Sequence, residues 1–514
     1  MPYSFNGIGA QQKSLIMKKY LLFLSILSTF LSSPDSLAQQ LTKRAIEKDL
    51  NHLDKILLTE SSYQGLNGYD YQSDFKKFLE SINRDQISTY DFGVFLAKTI
   101  GKIGDRHAYI KDYEIRDSLY FPIAFAPYQD KVLVVDYKPE ENEYAFWDEE
   151  FPYLKSINSI LIEKLIKQLL PAEILAPEAS YFTNAVRELR DIELVSRRLD
   201  FPIPNPLSIT LANDQGVEKV VHVNLVTGIK RARYWDERFF KNPFRLKEEQ
   251  YNDKESIAGL FSLENKIGYM QVPEMVAKED SPVFFEILND FILKAKQTDA
   301  LIIDVRDNGG GTRDLIQELA GYFIHPDSVY VVNAARQRRT SPLTQDQKED
   351  LHRRFLFSKE ELDTREQLSV ENFMSTFHPR YELDDDKYSD YHYYLLNGQK
   401  LSEGKYHYNK PIYLLANERT FSAASILVSV FKDLPTISVV GVNTDGSSGN
   451  SQRFELPNSN LTGKISTMVS FQKNGDLLDG VGTTPDILIE RSLNQIFMKE
   501  DYQLNKVIEL IRSP

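Results

Sequence analysis

The chain of 514 residues contains no cysteine. That excludes disulfides, a thiol nucleophile and cysteine-ligated metal, but not export, because a large exported domain can do without disulfides. Positive charge is also in deficit. There are 61 Lys and Arg against 74 Asp and Glu, a formal net charge of −13. Nucleic acid and anionic membrane surfaces are therefore poor candidates for the main partner. Histidine occurs eight times, as His52, His107, His222, His325, His352, His378, His392 and His407. No two of them have zinc-site spacing on a helix. Internal repeats and low-complexity tracts are absent. The one long apolar run, Tyr20 to Leu31, is too short to span a bilayer comfortably.

That run follows Met17-Lys18-Lys19 and precedes Ser36-Leu37-Ala38. A basic start, an apolar centre and a small-x-small end predict a secretory signal over residues 1–38, with Met17 a possible true start. The exported chain would begin near Gln39 and be periplasmic or extracellular, with no membrane span remaining. No cysteine follows the signal to carry a lipid.

Aromatic residues are plentiful, with 30 Phe and 28 Tyr, and 42% of the chain is hydrophobic. Two to four packed domains are expected. Leu50, Leu53, Ile56 and Leu57, then Phe75, Phe78, Leu79 and Ile82, then Phe92, Phe95, Leu96 and Ile100 recur at helical spacing. They predict a small helical domain that ends near Gly101, before Gly104-Asp105-Arg106-His107.

Residues 120–128 and 131–137 read as strands, and 154–170 as a turn into a helix. Residues 206–214 and 219–226 read as a hairpin around Asp214-Gln215-Gly216. From residue 266 strands alternate with helices: 266–272, 281–297, 300–306, 313–324, 328–334, 411–417, 422–433, 437–442 and 464–471. This predicts an α/β layer. Residues 335–408 interrupt it as a polar insertion, read as a solvated elaboration or a lid.

Two turns in that layer carry chemistry. Asp304 to Gly311 ends an apolar strand in Asn308-Gly309-Gly310-Gly311. Glycines there turn backbone N–H groups outward, at the strand end where α/β sheets bind ligands. The run lacks the Gly-Lys-Ser/Thr ending of a phosphate loop and the spacing of a dinucleotide fingerprint. The second turn, Thr420-Phe421-Ser422-Ala423-Ala424, puts a serine at a helix start. The bland alternative is a helix N-cap, for which Thr420 also competes. As a nucleophile, Ser422 would have the Ala423 N–H beside it for a developing oxyanion. His107, projected by a glycine turn, is the best candidate base.

These motifs are followed by Val440-Gly441-Val442-Asn443-Thr444-Asp445-Gly446 and by Asp479-Gly480-Val481-Gly482-Thr483-Thr484-Pro485-Asp486. In this order the set resembles the C-terminal processing (tail-specific) protease family, which includes the tricorn core protease. The resemblance implies an α/β fold with a crotonase-like ββα catalytic core, an N-terminal helical domain and an inserted PDZ-like β module. The expected division is 39–119 helical, carrying the histidine; 120–230 PDZ-like; 231–500 catalytic, with the 335–408 insertion; and 501–514 a C-terminal helix. The glycine-bearing carboxylate loop of a typical PDZ domain is not evident.

One branch of the family uses a Ser/Lys dyad. Its lysine is expected just after Asp445-Gly446, where this chain has Ser447-Ser448. Lys432 is ten residues past Ser422 on the same helix, about 15 Å along the axis, and Lys464 matches nothing. The other branch pairs serine with histidine and an acid. The resemblance assigns Ser422 as nucleophile, His107 as base and Asp479 as acid, with Asp476 and Asp486 as weaker alternatives. Backbone N–H groups of Ala423 and of Gly309 or Gly310 would form the oxyanion hole. Arg106 stands where the tricorn-type arrangement has a further serine, so no fourth member is expected. Neither metal nor cofactor is required, and the partner is a polypeptide substrate. A base of ordinary pKa, ~6.5, predicts activity rising through roughly pH 6–7. A silent peptide or apolar-ligand binder, or an esterase, are the competing classes.

Overall fold

A computed structural model describes residues 40–513 apart from 84–85, 116, 171–174, 237–249, 340–341 and 448–449. The expected signal, residues 1–38, lies outside the described residues. Among those described, no helix is long and apolar enough to cross a membrane.

The fold is mixed α/β with several sheets. The three helical stripes form helices Lys43–Glu60, Tyr71–Ser81 and Thr89–Lys102. Leu50, Leu53, Leu57, Phe75, Phe92, Leu96 and Ile100 are buried among them. The β module is one antiparallel sheet of seven strands. Its main path runs Glu218–Val223, Leu207–Ala212, Tyr153–Ile157, Lys131–Lys138 and Ala124–Tyr128. The expected hairpin closes in register Ala212 to Glu218. Helices Ile162–Leu169, Glu178–Glu188 and Ile192–Leu199 pack on this sheet through Leu165, Val186 and Val195.

The strands expected in one layer divide between sheets. Ile267–Gln271, Ala300–Asp304, Ile412–Ala416, Ile437–Gly441 and Ile487–Leu488 run parallel, with Phe261–Glu264 antiparallel at one edge. Helices Pro282–Lys294, Asp314–Phe323 and Ala423–Phe431 contribute to the core on one face. On the other, helix Tyr502–Arg512 brings Val507 against Ile302, Leu415 and Val440. Ala300–Asp304 is buried along its whole length. Burial on both faces is why it reads as an unbroken apolar run.

Val329–Gln337 leaves this sheet. It pairs antiparallel with His392–Asn397 and Met468–Gln472 in a second one. The expected strand 464–471 is two strands in two sheets: Thr462–Ser466 pairs with Tyr109–Lys111, and Met468–Gln472 with Val329–Gln337. The described part of the 335–408 insertion is anchored in the fold rather than solvated throughout. Tyr388, Tyr393, Val370 and Phe377 share one hydrophobic core with the N-terminal helices.

Candidate active site

Ser422 occupies the N-cap position of helix Ala423–Phe431, but its side chain makes no capping bond and its backbone is at φ 52°, ψ −127°. A non-glycine residue there is strained by about 1–3 kcal/mol and persists only where its surroundings impose it. Several contacts do so. Phe421 N–H donates to Asn308 O at 2.9 Å, and Asp445 N–H to Thr420 O at 3.0 Å. Thr420 caps nothing: its hydroxyl donates to Val305 O at 3.0 Å and accepts from Asn417 N–H at 3.1 Å.

The glycine loop lies against this turn. Gly310 has φ +97°, and a Cβ there would stand 2.6 Å from Ser422 Cβ and 2.9 Å from Ala423 N. Only glycine permits that approach. The Gly310 N–H is committed to Asn308 Oδ1 at 2.8 Å. The Gly309 N–H has no backbone or side-chain acceptor among the described residues, and Gly309 is exposed. Ala423 is the first residue of its helix, so its N–H has no partner within the helix. Of the two expected glycine donors, Gly309 therefore has the free N–H.

His107 follows the helix Thr89–Lys102 and a left-handed Gly104 at φ +83°. Asp105 fixes the turn by accepting from the His107 N–H at 2.9 Å and from the Ser466 N–H and hydroxyl at 2.6 and 2.7 Å. Burial raises the Asp105 carboxyl to about 6. The His107 ring is 7% exposed and packs on Phe421, ring centroids 5.1 Å apart. Burial, reinforced by the positive charges of Lys464, Arg106 and Arg354, pushes the imidazole down to about 3. The ring is thus neutral at physiological pH, which corrects the expected pKa of ~6.5.

The ring does not hydrogen-bond to Ser422. Its partner is Ser447, whose Oγ is 2.6 Å from Nδ1 and 3.1 Å from Nε2. Asp479 Oδ1 stands 4.0 Å from Nδ1, beyond hydrogen-bond range. Its Oδ2 accepts from the Tyr63 hydroxyl at 2.8 Å, and the residue is fully buried. Ser447 thus makes the hydrogen-bond contact with the imidazole, and Asp479 stands 4.0 Å from it.

Asp476 and Asp486 are elsewhere. Asp476 accepts from Asn474 in its own turn, and Asp486 accepts from Val439 N–H and pairs with Lys432.

Residues 444–447 tie the parts together. Arg106 grips Asp445 with two bonds of 2.9 Å. Gly480 N–H donates to Gly446 O at 3.3 Å, and Thr444 N–H to Thr483 O at 3.2 Å. The same segment thus touches the histidine turn, the serine turn and the acid loop. Sequence reasoning missed Ser447, Tyr63 and Asp105. The signal available was Arg106 itself: a charge beside a buried histidine demands a partner, and Asp445 is that partner.

The arrangement holds a serine in a strained turn at a helix start, two outward N–H groups, and a neutral imidazole near a buried carboxylate. These are the components of acyl transfer. Among the described residues no cluster could hold a metal ion.

Residues 266–489 match the model of peptidase family S41. A protein of Chlamydia muridarum is 35% identical over 95 residues, 17% of this chain and 15% of that protein. A Chlamydia pneumoniae protein is 23% identical over 253 residues, 43% of this chain and 40% of that protein. The chain thus spans less than half the length of these relatives. Mature CPAF complexed with lactacystin superposes with a TM-score of 0.60 at 18% identity, over 92% of this chain and 99% of that one. That likeness shows a shared fold.

Proposed function

The chain carries a peptidase family S41 domain over residues 266–489, and from that premise we propose that it is an exported serine peptidase resembling C-terminal processing proteases. Ser422 attacks the scissile carbonyl. His107 takes the serine proton and returns it to the leaving amine. Asp479 stabilises the imidazolium that forms, and Ser447 holds the ring's orientation. The N–H groups of Ala423 and Gly309 receive the oxyanion. The domain is read as a crotonase-like core, and residues 120–230 as a PDZ-like module, on the strength of its antiparallel sheet with packed helices. Export is supported by the 17–38 pattern.

The observation that carries this reading is the Ser422 backbone. A strained serine pressed against a glycine loop has no structural use, since its hydroxyl caps nothing. In the mechanism the hydrogen bond between His107 and Ser422 forms when substrate arrives, because catalytic hydrogen bonds commonly tighten only in the complex. Casein hydrolysis by the wild-type chain, lost in Ser422→Ala, tests this. Retained turnover in that variant would refute it.

One observation favours a second reading, a silent peptide or apolar-ligand binder. The His107 ring is hydrogen-bonded to Ser447 rather than to Ser422. Peptide binding without any reaction with a serine-directed fluorophosphonate would establish that alternative.

A further inference from the structure

The N–H groups that face a developing oxyanion come from separate segments of chain, Gly309 from the glycine loop and Ala423 from the serine turn. Neither segment alone fixes the gap between them. It is set by the contacts that tie one segment to the other.

An ion pair crosses between them. Arg419 Nη1 lies 3.3 Å from Asp307 Oδ1. The same nitrogen donates to Asp236 Oδ1 at 3.1 Å, so the guanidinium is held from both sides. Asn417 supplies a neutral half of the tie. Its Oδ1 accepts from the Asp307 N–H at 2.9 Å and from the Arg419 N–H at 3.1 Å, and its Nδ2 donates to Asp307 Oδ1 at 3.1 Å. Asp307, Asp236 and Asn417 are buried.

Asp307 depends on this grip. Its backbone is left-handed, at φ 59°, immediately before Asn308 and Gly309. A non-glycine residue in that region is held there by its neighbours. Burial pushes the Asp307 carboxyl up, and Arg419 opposes the shift. Without its cation, a buried carboxylate protonates or turns away. The loop that leads into Gly309 would then shift against the serine turn. The Ser/His/acid chemistry does not itself use the pair.

We infer that Arg419 is a positioning residue: its grip on Asp307 sets the spacing between the Gly309 and Ala423 N–H groups that receive the oxyanion. This rests on the peptidase reading above. A misplacement of about 1 Å can cost on the order of a hundredfold in rate, comparable to losing one oxyanion donor. The oxyanion exists in the transition state and not in the bound substrate, so the loss falls on kcat rather than KM.

Casein hydrolysis and fluorophosphonate labelling by full-length wild type, Arg419→Ala and Arg419→Lys test this, at a temperature where circular dichroism shows each folded. Arg419→Ala should lower kcat about a hundredfold and leave KM within about twofold. It should slow labelling of Ser422 by a similar factor, because the phosphoryl oxygen uses the same N–H groups. Arg419→Lys keeps a cation for Asp307 and should recover to within about tenfold of wild type. Asp307→Asn, nearly isosteric, carries the test if loss of Arg419 unfolds the chain, and should lower kcat about tenfold at unchanged KM. A loss confined to KM, an unchanged labelling rate, a lysine variant no better than alanine, or an asparagine variant at full rate would overturn the inference. A wild type that neither cleaves casein nor takes the label would overturn the peptidase reading and this inference with it. An active wild type matched by Arg419→Ala would overturn this inference alone.

Discussion

Replacing Ser422 by glycine should abolish catalysis and stabilise the protein. At φ 52°, ψ −127° the serine backbone carries about 1–3 kcal/mol of strain that glycine does not. Against this, glycine gives the unfolded chain extra freedom worth about 0.4–1 kcal/mol. The net expectation is a gain of about 0.5–2 kcal/mol. Alanine keeps a Cβ and so keeps the strain. Because the hydroxyl makes no capping bond, Ser422→Ala should cost close to nothing, rather than the roughly 1 kcal/mol of a lost cap. Thermal unfolding of the three proteins under one condition gives the order. Glycine should melt a few degrees above alanine, and alanine level with wild type, at roughly 2–4 °C per kcal/mol for a large domain. A glycine variant less stable than the alanine variant would refute strain at this position.

The His107 imidazole, held near 3 by burial and by Lys464, Arg106 and Arg354, should remain neutral at pH 5 in Ser422→Ala when followed by ring ¹⁵N NMR; a titration midpoint near 6.5 would contradict this. Because its pKa is lowered on folding, its contribution to stability is present above ~6.5 and is lost as the pH falls toward 3. His107→Ala should lower kcat/KM about as far as loss of the serine, and Asp479→Asn by about 10⁴-fold. Ser447→Ala should cost about ten- to a hundredfold and broaden the imidazole signals. Lys432→Ala should leave turnover intact, since Lys432 pairs with Asp486. Arg306→Ala should destabilise by about 3–5 kcal/mol in urea unfolding, because it strips the partner from buried Asp304 and from Asp501.

Much of the architecture was legible because periodicity reports burial. The helical stripes at Leu50 to Leu57 and Phe92 to Ile100 read correctly since each faces one packed layer, and the apolar run at 300–304 since it is buried on both faces. Sheet membership was not legible. Val329–Gln337 alternates like its neighbours in sequence, and only long-range pairing with Met468–Gln472 removes it from the parallel sheet. The insertion looked solvated because Arg336, Asp385 and the tyrosines are polar by composition. Folded, the Arg336 guanidinium sits over the Tyr391 ring and bonds Leu383 O and Asp385, so the rings can be buried. At the site, the close approach of the Ser422 turn to the glycine loop was readable from local turn chemistry, but the commitment of the Gly310 N–H to Asn308 Oδ1 was not. Ser447 was not, because its role depends on an Arg106–Asp445 pair that links segments distant in sequence. The His107 pKa was equally unreadable, since burial and three cations from separate elements set it.

The most direct measurement of the central claim is reaction of the full-length protein with a serine-directed fluorophosphonate, followed by intact mass and peptide mapping. The account predicts one adduct, on Ser422, blocked in Ser422→Ala and greatly slowed in His107→Ala, with loss of casein hydrolysis in step with labelling. An unlabelled protein, or one that cleaves casein at full rate while carrying its adduct elsewhere, would contradict it.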